Sequence, residues 1–129
     1  MPVMISFTVE TDGHLPSGQP LGEAIEEVGR ETDGGAVYYM INCAHPSHFE
    51  KVLKPGEAWR ERIHVLRANA SNKSHEELDN LEELDDGNPT EFGQESAKLK
   101  EKLPNLNVLG GCCGTDHRHI AEIAKAWAA

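Results

Sequence analysis

Leu106-Asn107-Val108-Leu109-Gly110-Gly111-Cys112-Cys113-Gly114-Thr115 decides how the chain is read. Its first half is a short apolar run suited to a strand and too short for a stable helix. Its second half is a glycine-bounded cysteine pair. A helical pattern follows at once, Asp116–Ala128, with Ile120, Ile123, Ala124 and Trp127 as its apolar stripe. Thr115 is placed to cap that helix. Strand, glycine-rich turn and helix in that order form a βα unit.

Three further runs repeat the design: Val3–Val9, Val37–Cys43 and Ile63–Asn69. The first two and Leu106–Cys112 are largely apolar rather than alternating, which predicts strands covered on both faces. Ile63–Asn69 is more mixed. Helical patterns lie between the runs. Pro20–Val28 starts on a proline and stops at Gly29, with Leu21, Ile25 and Val28 on one face. Pro46–Leu53 is a short helix closed by Pro55-Gly56. Ser74–Leu84 is helical through Leu78, Leu81 and Leu84, and Asp85-Asp86-Gly87-Asn88-Pro89 breaks it. Asn88 and Glu91 offer a capping-box start for Pro89–Leu103. The acidic stretch Glu76–Asp86 reads as a solvated helix face and loop. The expected fold is therefore α/β: four consecutive βα units on a parallel sheet, joined by right-handed crossovers.

All three cysteines fall at strand C-terminal ends, Cys43 after the second and Cys112 and Cys113 after the fourth. That rim carries the active site in parallel α/β folds. Successive strand residues point to opposite faces, so Cys112 and Cys113 reach one metal only if the backbone leaves the strand there. Gly110, Gly111 and Gly114 permit that departure. An anion cradle is the competing use of such glycines, but the spacing matches neither common phosphate-binding fingerprint. Three thiolates suit zinc. A structural site would need a histidine as fourth ligand, for which His45, His48 and His117 are the neighbours. A three-ligand site leaves an exchangeable position, where a substrate thiol would be held as a thiolate. Against both stands the plain alternative that the cysteines are small buried apolar residues.

Gly110–Thr115, Ile41-Asn42-Cys43, Ile5–Val9, Gly13 and Gly18 together resemble the homocysteine S-methyltransferase family. The resemblance runs over almost the whole chain. It implies a (β/α)8 barrel, of which residues 1–129 supply the C-terminal half, strands five to eight, as a partial domain. A full barrel takes ~250 residues. It implies one catalytic Zn2+ held by Cys43, Cys112 and Cys113, and methyl transfer to the thiol of homocysteine, giving methionine. The donor in relatives is S-methylmethionine, S-adenosylmethionine, betaine or a methyl-corrinoid/folate system. Arg67-Ala68-Asn69-Ala70-Ser71 departs from the Tyr-Pro-Asn-like segment of many relatives, and leaves the donor open. The motifs that hold the amino acid's polar end in relatives belong to the first half, so no homocysteine-binding residue beyond the zinc ligands is assigned. The chain alone is expected to bind zinc with little or no activity. The alternative is a non-catalytic half-barrel with a structural zinc site, which self-associates or complements a separate N-terminal half.

Other polar groups receive plainer readings. Asn42 either bonds across the rim to orient a ligand loop or acts directly. Glu10 and Asp12 read as solvated loop carboxylates, and His45 and His48 as helix-start residues. His14, His64, His75, His117 and His119 form no constellation. Trp59 and Trp127 read as packing residues, and at least one of Tyr38 and Tyr39 faces the core. The chain has 129 residues, with 12 Lys plus Arg against 22 Asp plus Glu, a net charge of −10. That balance argues against nucleic acid and anionic membranes as partners. No apolar run nears the ~20 residues of a membrane span. The N-terminus carries no secretory pattern. An odd cysteine count with two adjacent argues against a disulfide framework, and a cytoplasmic location is expected.

Overall fold

A computed structural model describes residues 1–129. It contains β1 (Val3–Thr8), α1 (Leu21–Glu31), β2 (Ala36–Asn42), α2 (Pro46–Phe49), β3 (Ile63–Ala68), α3 (His75–Asp79), α4 (Pro89–Lys98), β4 (Val108–Gly111) and α5 (His117–Ala128). Short 3-10 turns cover Glu50–Val52, Ala58–Arg62 and Leu99–Glu101. The strands form one four-stranded parallel sheet in the order β1-β2-β3-β4, the arrangement of half a (β/α)8 barrel.

The register explains the two faces of the sheet. Phe7, Ile41, Leu66 and Leu109 lie side by side, as do Ile5, Tyr39 and Ile63. These rows face the helices and join a core with Leu21, Ile25, Phe49, Trp59, Phe92, Leu99 and Ile123. Tyr39 is fully buried there and Trp59 and Trp127 pack, as read from the sequence. Ser6, Met40, Val65 and Val108 form the alternate row on the opposite face. That face is open: Met4 is 47% and Val108 51% exposed. The expectation of strands covered on both faces is therefore corrected. The helices cover one face of the four strands, and Met4 and Val108 stand exposed on the other.

Several element ends also differ. α1 runs past Gly29 to Glu31 and stops where Gly34 N–H returns to Gly29 O at 2.8 Å, with Asp33 and Gly34 at positive φ. The helix expected over Ser74–Leu84 ends at Asp79, and Leu84 lies in solvent. Its start is a full capping box between Ser74 and Glu77. In α4, Asn88 accepts from Thr90 and Glu91 N–H, but the reciprocal bond from Glu91 is not made. The α5 cap is Asp116, not Thr115; Thr115 Oγ1 donates instead to Cys112 O at 2.7 Å. The cysteine turn itself takes the threonine, three residues on, and leaves the helix start to its neighbour.

Candidate metal centre

β2 and β4 flank β3 and end at the same rim of the sheet, and this brings the cysteines together across the end of β3. Cys43 leaves the sheet at φ +53, a left-handed conformation that is rare without a glycine. Its N–H still donates to Arg67 O at 2.9 Å, and Cys112 N–H donates to Ala68 O at 2.7 Å. The strand ladder thus anchors the main chain at two cysteines while their side chains turn over the rim. The Cys43 and Cys112 sulfurs lie 2.7 Å apart, and all three Sγ atoms lie within 4.8 Å of one another. Tetrahedral thiolates ~2.3 Å from a zinc ion stand roughly 3.8 Å apart, a span the trio brackets.

The departure required of adjacent cysteines is made by the turn after β4. Gly114 has φ +79, and a Cβ on it would lie 2.3 Å from Asp85 O. A Cβ on Gly111 would lie 2.2 Å from Thr115 Oγ1. Gly110, also expected to be needed, faces open space and is under no such constraint.

The three thiols do not titrate alike. Burial pushes Cys43 up to about 11, helped by its hydrogen bond with Cys112 and opposed by one from Asn42. Cys113, the exposed member, is also raised, by desolvation and then by the charge of Cys112. Burial opposes ionisation of Cys112 too, but hydrogen bonds from Cys43 and Cys113 and the Arg67 guanidinium hold its thiol below the usual value. Cys112 is the first to become a thiolate.

Around the trio the structure builds a polar frame. Asn42 Oδ1 accepts from Ser6 Oγ at 2.5 Å and from Thr8 Oγ1 at 3.3 Å, so it bonds across the rim to β1. Asn69, 2% exposed, accepts from Cys113 N–H at 3.2 Å, and its own N–H donates to Ala44 O at 3.1 Å. Ala70 N–H donates to Cys113 O at 3.0 Å. The turn from Leu84 to Gly87 closes over this frame. Asp85 accepts from Ser71 Oγ and Lys73 Nζ, both at 2.9 Å, and from Gly87 N–H, which together hold its carboxyl at about 2. Asp85 is thus a structural acceptor, correcting the reading of the whole acidic stretch as solvated.

The histidines lie outside the trio; the group that could hold a metal consists of Cys43, Cys112 and Cys113 alone. His45 caps α2, accepting from Ser47 N–H, and burial lowers it to about 4. His48 bonds Asn72 O, His75 bonds Val9 O, and His119, fully buried, bonds Asp86 O at 2.8 Å. These three tie rim loops together. Asp12 and Glu10 sit in a turn, with Asp12 accepting from His14 N–H. Reading the sequence missed Asn69, Asp85 and His119. Each acts through a contact distant along the chain, and only the break of Arg67–Ser71 from the relatives' pattern marked one of them.

No helix is long and apolar enough to cross a membrane. No solved structure matches the chain. The profile of the homocysteine S-methyltransferase family matches residues 1–127, and covers both cysteine motifs and all four βα units. The chain belongs to the homocysteine S-methyltransferase family.

Proposed function

We propose that Cys43, Cys112 and Cys113 hold one zinc ion, and that the chain is the C-terminal, metal-bearing part of a catalytic domain that methylates the thiol of homocysteine to give methionine. One observation carries the reading: three sulfurs from two strand ends converge, and no fourth protein donor joins them. That donor set suits zinc, and an open fourth position is the pattern of catalytic rather than structural sites. When bound there, zinc would lower the proton affinity of a substrate thiol. The chain's own contribution is positional. Asn42 steadies the Cys43 turn from the β1 side, and Arg67 lowers the proton affinity of the rim beside Cys112. In the transfer, the substrate sulfur attacks the methyl carbon as the bond from that carbon to the donor breaks, and the leaving group keeps the electron pair. Three unpaired cysteines fit a cytoplasmic, reducing setting.

The test is metal content with each Cys→Ser in turn. Each substitution is expected to abolish stoichiometric zinc; retention of tight zinc by any of them defeats the three-thiol site. Alone, the chain is expected to make no methionine at steady state, and turnover would refute its assignment as an incomplete site.

A second reading is favoured by the open face and free edges of the sheet. Here the chain is a half-barrel that self-associates or complements a separate N-terminal half. The two readings are compatible, since a completed barrel would keep the metal rim.

A further inference from the structure

The cysteines belong to two turns that share no residue, and a three-thiol centre needs their spacing held. Between those turns runs the end of β3 and the segment Asn69-Ala70. Asn69 touches both. Its main-chain N–H donates to Ala44 O, one residue beyond Cys43, and its Oδ1 accepts the N–H of Cys113. It is among the most completely buried polar side chains of the protein. A buried amide is retained at a cost unless it is satisfied, and here the partner is the backbone of a cysteine. The donor at Cys113 is an N–H, so the atom facing it must be the oxygen of the amide. The two neighbouring bonds, Cys112 N–H to Ala68 O and Ala70 N–H to Cys113 O, are main chain to main chain and survive any substitution that folds. The Asn69 side chain is the sequence-dependent link to the Cys113 main chain; Arg67 Nε, which donates to Gly111 O at 3.1 Å, holds the end of β4 before the pair.

We propose that Asn69 is the positioning residue of the three-thiol centre: it sets the Cys112-Cys113 turn against the Cys43-Ala44 turn by holding one with its side chain and the other with its backbone. It does not touch the metal or the reacting atoms. The proposal rests on the reading that the three cysteines bind a metal.

The experiment titrates the full chain with Co2+, whose absorption reports tetrahedral thiolate coordination, and with Zn2+ in competition. Asn69→Ala is compared with Leu103→Ala, a fully buried core change at the other end of the sheet. N69A is expected to bind one metal about 10–100-fold more weakly, with an altered cobalt spectrum, the usual scale for loss of a residue that orients a ligand. L103A is expected to lower the melting temperature yet keep affinity and spectrum. Unchanged affinity and spectrum in folded N69A overturn the proposal, as does an equal loss in L103A. Asn69→Asp keeps an oxygen acceptor for Cys113 N–H and is expected to stay within a few-fold of the parent. A folded N69D with the N69A phenotype overturns the proposal, even if N69A fails to fold. Hydrogen exchange on the metal-free protein separates the two readings. The Cys113 amide is expected to lose protection in N69A and keep it in N69D and L103A. Unchanged protection in N69A overturns the positioning role, whereas a parent that binds no cobalt refutes only the metal reading.

Discussion

At the scale of single residues, proton occupancy governs the centre. Cys43 is held up to about 11 and Cys113 is also raised, so both are protonated at neutral pH, while Cys112 is lowered. Thiols ligate only as thiolates, so metal binding at the proposed three-thiol site would expel at least two protons. Apparent zinc affinity is therefore expected to rise by about 100-fold per pH unit near neutrality, tenfold for each proton released. Competition titrations at several pH values check this, and a pH-independent affinity would contradict the assigned ligands. Asp85 makes the opposite kind of prediction. Its folded value of about 2 lies below the usual carboxylate range, because Lys73, the Gly87 N–H and Ser71 favour the charged form. Its contribution to stability is then full above the unfolded value of ~3.9 and fades as pH falls toward 2. Asp85→Asn should lower the melting temperature above pH ~4, and the gap from the parent should close toward pH ~2. The cysteines were legible from the sequence because spacing and strand ends place them. Asp85 was not, because an acidic residue in an acidic run gives no sign of which carboxylate folds inward onto Ser71 and Lys73.

At the scale of elements, the βα order was legible from periodicity, and the rim turns were not. β4 and α5 are joined by five residues, Cys112–Asp116, whose bonds run both within the turn and to distant segments. Thr115 is drawn to Cys112 O, Cys113 bonds Asn69 and Ala70, and Gly114 lies under Asp85. Capping rules pointed to Thr115 because they weigh only the local helix start. Asp116 takes that place, and Arg118 returns to it and to Asp86, binding the Leu84–Gly87 turn, a strap over the rim, to the helix. Gly114→Ala tests this joint. A Cβ at φ +79 is strained, and this one would strike the Asp85 carbonyl. The substitution is expected to cost about 2–4 kcal/mol in chemical denaturation and to weaken zinc binding. Full stability with intact binding would mean that the strap moves aside freely. Gly29, by contrast, has open space around its missing Cβ, and α1 passes through it. Reading that glycine as a stop failed because the stop is set by the Asp33-Gly34 turn two residues beyond the helix end.

At the scale of the whole molecule, the sheet has two unlike faces and two free edges. The helix face is closed by a contiguous core from Val9 to Ile123. The other exposes Met4 and Val108, and Val3 and Val37 are exposed near the start of β1 and β2. The free edges are β1 and β4, and both run in the same direction because every pairing is parallel. An edge strand carries a row of unpaired N–H and C=O groups, and an apolar face beside it favours association. Two such half-sheets related by a two-fold along the barrel axis could join β4 of each to β1 of the other, as could a separate first half. This feature was only partly legible. Apolar runs announced strands buried on both faces, but the second cover is not among these 129 residues. The purified chain is therefore expected to sediment as a dimer or larger species, or to bind a hydrophobic dye strongly if monomeric. Met4→Lys with Val108→Lys places charges on the open face without touching the helix-side core. The pair should shift the chain toward a monomer, reduce dye binding and leave zinc stoichiometry unchanged, since the rim cysteines lie beyond the strand ends. A parent that is monomeric and binds no dye would show that the open face needs no partner. Loss of zinc in the lysine pair would show that the metal centre depends on that cover.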